Sequence, residues 1–140
     1  MKQLLTTLLL IGLTLIGCKK DETTTGSDEF NDILALGTGL NATNLFQLTG
    51  ESTTFQGVPK TIYWRLESQA DMAGSAVSIK IERLSGGVYS SFNTFNYNNP
   101  QTYGHIMLSS FSITQTGSFR ATGILSTQSK TVATKDFVVQ

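Results

Sequence analysis

The 140-residue sequence predicts an all-β domain, an antiparallel β-sandwich of seven or eight strands, carried behind an apolar leader and a polar tether. Three observations point there. From residue 33 onward, apolar and polar side chains alternate in short segments, the period of a half-buried strand. These segments are separated by Gly, Asn, Ser and Pro, which turn the chain. No helix-length amphipathic pattern and no internal repeat is present.

Taken in order, the leader comes first. Lys2 places a positive charge ahead of residues 4–16, a run of 13 in which nine are Leu or Ile. A membrane-spanning helix needs about 20 apolar residues, so this run reads as a signal-peptide core and is set aside from the fold. Leu15-Ile16-Gly17-Cys18 follows, and Cys18 is the only cysteine. These four residues resemble the lipobox of bacterial lipoproteins. That resemblance implies cleavage between Gly17 and Cys18 and acylation of Cys18, so that the membrane is held through lipid. Each buried CH₂ contributes about 0.8 kcal/mol, so two or more chains anchor where one is marginal.

Lys19-Lys20-Asp21-Glu22 is similar to the signal beside the lipidated cysteine of surface-exposed lipoproteins in Bacteroidota. It implies outer-membrane localisation with cell-surface exposure, the periplasmic face being the alternative. Residues 19–32 carry five acidic and two basic side chains around Thr23-Thr24-Thr25-Gly26-Ser27, a linker composition. The expected organisation is therefore a leader over 1–17, lipidated Cys18 with an acidic tether over 18–32, and a sandwich over 33–140.

The sandwich region has seven basic and five acidic side chains. An excess of two gives no reason to expect nucleic acid or another polyanion. Residues 33–40 and 45–48 supply one or two weak strands. Residues 61–68 are clearer, with Ile62, Trp64 and Leu66 facing one way and Tyr63, Arg65 and Glu67 the other. In 76–84, Val77, Ile79 and Ile81 alternate with Ser78, Lys80 and Glu82, and Ser85-Gly86-Gly87 is a hairpin signal into 88–97. Residues 103–108 and 111–113 read as strand with a bulge at Ser109-Ser110. Residues 117–125 turn Phe119, Ala121, Gly123 and Leu125 inward, and 131–139 form the last strand.

Residues 111–121, Phe-Ser-Ile-Thr-Gln-Thr-Gly-Ser-Phe-Arg-Ala, resemble the E-to-F corner of immunoglobulin-like domains. Phe119 stands where that family usually has Tyr, so the corner hydroxyl bond is missing. Ala121 stands where it has Cys, so the intersheet disulfide is missing too. Trp64 falls on a strand read as B rather than C. The resemblance implies a fold and no function. It also makes C and F neighbours, which predicts a cross-strand ion pair between Glu82 and Arg120.

The chemical inventory is thin. One cysteine excludes an internal disulfide and a multi-cysteine metal site, and His105 is the only histidine. A Ser-His-acid arrangement would have to join His105 to Ser109 or Ser110. Glu51, Glu67, Asp71, Glu82 and Asp136 are carboxylates by type, each in ordinary strand or turn surface. No catalytic residue, metal or cofactor is expected. The segment 89–103 stands out for aromatic and amide side chains. As a plain strand it sets Tyr89, Asn93, Phe95 and Tyr97 on one face and Phe92 on the other, and both faces cannot enter one core. Tyr89, Asn93, Phe95, Tyr97 and Tyr103 are therefore candidate ligand contacts for a glycan or an envelope protein. The expectation is a non-catalytic binding module; a structural subunit of a surface complex and a small hydrolase using His105 are the alternatives.

Overall fold

A computed structural model describes residues 29–72, 74–98 and 104–140. The leader, Cys18, most of the tether and Tyr103 lie outside them. Among the described residues there are ten strands: β1 (Ile33–Gly37), β2 (Gly39–Leu40), β3 (Leu48–Thr49), β4 (Thr54–Phe55), β5 (Lys60–Glu67), β6 (Val77–Ser85), β7 (Val88–Tyr97), β8 (Ile106–Ile113), β9 (Gly117–Leu125) and β10 (Lys130–Val139). A 3₁₀ turn, Ser126–Gln128, precedes β10, and no described helix is long and apolar enough to cross a membrane.

Two sheets face each other. One has the order β1-β5-β8, the other β4-β10-β9-β6-β7, and β2-β3 form a small hairpin. All long pairings are antiparallel, while β4 runs parallel to β10 through Val138↔Thr54. In letters this is A-B-E against A′-G-F-C-C′, an immunoglobulin-like sandwich with no D strand among the described residues. Trp64 does lie on B, and C and F are neighbours. The Gly86-Gly87 turn has φ of 59° and 82°, the two positive values a two-residue hairpin needs.

The core is what alternation predicts. Trp64, Ile79, Ile81 and Phe119 are fully buried between the sheets, with Ile62, Leu66, Phe111 and Phe137. No cysteine is among them, so apolar packing stands in for the usual bridge. Arg83 compensates for the missing corner hydroxyl. Its Nη2 donates to the Thr116 carbonyl at 3.0 Å and its Nη1 to Gln115 Oε1 at 2.7 Å, with the guanidinium 6.0 Å from the Phe119 ring centroid.

Two details differ from the expected strands. β8 pairs with β5 in unbroken register from Ile106 to Ile113, so Ser109-Ser110 hold no bulge. The irregularities fall instead where Ile81↔Asn93 gives way to Glu82↔Ser91, and between Thr131 and Ala133. Residues 45–48 contribute only Leu48 to a strand, within the β2-β3 hairpin.

Candidate functional site

The aromatic strand β7 is the first place to look. Its extra residue at Phe92 reverses the alternation, because a bulge sets two residues against one on the partner strand. Phe92, Phe95 and Tyr97 therefore all turn towards the core, which corrects the expectation that both faces cannot enter it. Phe92 meets Phe119 edge-on at 5.3 Å, Phe95 stacks on Phe111 at 5.5 Å, and Tyr97 meets Trp64 edge-on at 5.0 Å. The Tyr97 hydroxyl donates to the Ser110 carbonyl at 2.8 Å, tying the edge of one sheet to the other. Burial raises the pKa of this phenol, with the neighbouring Trp64 indole acting against the shift.

The five candidate contacts thus part company. Phe95 and Tyr97 close the side of the sandwich. Asn93 is exposed and its Oδ1 accepts from the Thr94 N–H at 2.8 Å. Tyr89 faces outward on the five-stranded sheet, and Tyr103 is outside the described residues.

Tyr89 belongs to a charged cluster on that outer face. Arg120 holds Asp136 with two bonds, Nε to Oδ1 at 2.6 Å and Nη2 to Oδ2 at 3.0 Å, while its guanidinium lies 4.1 Å from the Tyr89 ring centroid. Glu82 is directly across from Arg120, as the strand order requires, yet it pairs with Lys80 at 2.7 Å. The predicted Glu82-Arg120 bridge is therefore replaced by two others. Asp136 is also directly across from Arg120, on the other side, and presents both oxygens to the planar fork. The Arg120 bond holds the Asp136 carboxyl below its ordinary value, outweighing partial burial. A shallow recess of about 280 Å³ runs beside the cluster, lined by Thr54, Leu84, Tyr89, Ser118, Asp136 and Val138 among others.

His105 sits at the opposite end of β8 from Ser112. Its Nδ1 is 2.9 Å from the Ser68 carbonyl, and its ring stacks on Phe30 at 4.3 Å, with 3° between the planes. Ser109 and Ser110 lie four and five residues further along, roughly 13–17 Å in extended chain. Across the sheet they oppose Trp64 and Tyr63, so neither serine joins His105 in a triad. Among the described residues, no group of three His, Cys, Asp or Glu side chains is placed to hold a metal ion.

The sequence left one cluster unread, at the domain entrance. Among the described residues, contacts are already made by Phe30, ahead of Ile33. The Asn31 N–H donates to Glu67 Oε1 at 2.7 Å, Arg65 Nη2 to Glu67 Oε2 at 2.6 Å, and Arg65 Nε to the Phe46 carbonyl at 2.8 Å. Asp32 accepts from the Gln69 N–H at 2.9 Å and pairs with Lys130 at 3.1 Å. Burial pushes the Glu67 and Asp32 carboxyls up, but these donors outweigh it and hold both below their ordinary values. The visible signal was Arg65-x-Glu67 on the polar face of an otherwise apolar strand.

No protein-family model matches the chain, and no curated protein matches it either. Among solved structures, an immunoglobulin-like protein from Pseudomonas aeruginosa is similar at 11% identity, over 82% of this chain and 99% of its own, with a TM-score of 0.45. The strand order itself, A-B-E against A′-G-F-C-C′, makes this domain an immunoglobulin-like sandwich.

Proposed function

We propose that this is a lipoprotein of the bacterial outer membrane that displays its immunoglobulin-like sandwich at the cell surface as a non-catalytic binding module. The observation that carries the reading is Leu15-Ile16-Gly17-Cys18, with the sole cysteine at the one place acylation requires. His105 supports the non-catalytic part, since its ring and Nδ1 serve to fasten Phe30 and the Ser68 carbonyl. The ligand side is the outer face of the five-stranded sheet around Tyr89, Arg120 and Asp136. There an aromatic ring, a fixed charge pair and a recess lie together, groups suited to a glycan or to the polar surface of an envelope protein.

The test is processing in cells. Globomycin, which blocks the lipoprotein peptidase, should cause the larger precursor to accumulate, and a Cys18→Ser chain should stay unprocessed. A Cys18→Ser protein that is still cleaved and membrane-bound would sink the proposal.

A further inference from the structure

We infer that the hairpin loop 41–47, on the outer side of the three-stranded sheet, docks on the lipid surface to which the chain is anchored; this rests on acylation of Cys18. Among the described residues, four of the six large hydrophobic side chains that stand exposed belong to β1 or this hairpin: Ile33 at 42%, Leu40 at 43%, Leu45 at 68% and Phe46 at 46%. The opposite outer face carries ion pairs instead, Lys80 with Glu82 and Arg120 with Asp136. Most of the exposed apolar side chains thus gather on one side of the sandwich, beside the Arg65–Glu67 pair.

The backbone of the loop is prepared for a dry setting. Asn41 Oδ1 accepts from the Thr43 and Asn44 N–H groups at 2.9 and 3.1 Å, and Asn44 Oδ1 accepts from the Phe46 N–H at 3.0 Å. The Gln47 N–H reaches the Asn44 carbonyl, the Asn41 N–H reaches the Gln47 carbonyl, and Arg65 covers the Phe46 carbonyl. Leaving water costs least where backbone groups are already satisfied, and five of the seven N–H groups of 41–47 are. The nearby charges, Arg65 and Glu67, are paired with each other, so a zwitterionic surface suffices.

The chain also enters on this side. Asn31, Glu67, Arg65 and Phe46 form a continuous series of hydrogen bonds from the domain entrance to the loop. Residues 19–29 separate Cys18 from Phe30, a reach of at most about 40 Å whatever their conformation. A tether of that length gives an effective concentration on the order of millimolar, so a weak patch stays occupied.

The test uses the full acylated chain in phosphatidylcholine vesicles. Acylation blocks Cys18, so Gln47→Cys offers a single thiol for an environment-sensitive dye, and Thr134→Cys on the charged face serves as control. The dye at 47 should shift to the blue and be quenched by brominated acyl chains, with the dye at 134 unaffected. Leu45→Ser with Phe46→Ser should lower the docked-to-undocked ratio at least about tenfold, because these two hold much of the apolar surface. Adding phosphatidylglycerol should change little. Equal water-like emission from both positions on acylated, vesicle-bound protein would overturn the docking and leave the anchor intact. A response confined to native envelope membranes would overturn it in favour of a protein partner. Mass spectrometry showing Cys18 unacylated would remove the anchor and the docking together.

Discussion

Truncating the aromatic side chains of β7 separates a core closure from an open platform. Tyr97→Phe removes the bond to the Ser110 carbonyl and keeps the ring, a loss of about 1 kcal/mol. Tyr97→Ala also removes a half-buried ring from the edge of Trp64. Full burial would make such a truncation cost about 3–5 kcal/mol, so about 2–3 kcal/mol is expected here, and about 2 kcal/mol for Phe95→Ala. In a domain of this size each kcal/mol lowers Tm by about 4–8 °C. Urea unfolding of the mature chain with Cys18→Ser reads these differences, and Trp64, the only tryptophan, reports the local change by fluorescence. Ala variants within about 0.5 kcal/mol of the parent, with unaltered Trp64 emission, would refute inward packing.

Three further outcomes are expected. A Cβ at Gly123 would come 2.5 Å from Leu66 Cδ1, which is fully buried, so Gly123→Ala should cost about 1–3 kcal/mol. Combining it with Leu66→Ala should cost less than the two singles added, and strict additivity in denaturant melts would count against the contact. Asp32, Glu67 and Asp136 have folded pKa values below their ordinary 3.8, 4.5 and 3.8. Their contribution is therefore present above those values and lost as pH falls through the lower folded ones, so stability should decline in acid and Glu67→Gln should flatten the decline. An unchanged slope in the Gln variant would contradict the Asn31-Glu67-Arg65 assignment. Finally, a double-mutant cycle should find coupling between Arg120 and Asp136 and none resolved between Arg120 and Glu82. Equal coupling in both would restore the simpler cross-strand pair.

Much of this fold is legible in alternation alone. Residues 117–125 coincide with β9, the Gly86-Gly87 turn falls in place, and the four side chains at the centre of the core follow from period two. What alternation does not carry is a change of phase. The extra residue at Phe92 is recognisable only against β6, and it turns Phe95 and Tyr97 inward, partly buried against the core. Charge pairing fails for a related reason. Arg120 has an acid across from it on each side, and the choice falls to Asp136 because Lys80 holds Glu82. The β2-β3 hairpin was hardest to see, since its strands are two residues each and its loop is set by asparagine side chains rather than hydrophobic period.

Lipid on Cys18 is the central claim of the proposed function, and the docking of the 41–47 loop rests on it. Intact mass spectrometry of the mature protein purified from membranes measures it directly. A chain beginning at Cys18 and carrying the added mass of a diacylglyceryl group, with or without a further acyl chain on the amine, is the predicted result. A chain beginning elsewhere, or an unmodified Cys18 thiol, would contradict it.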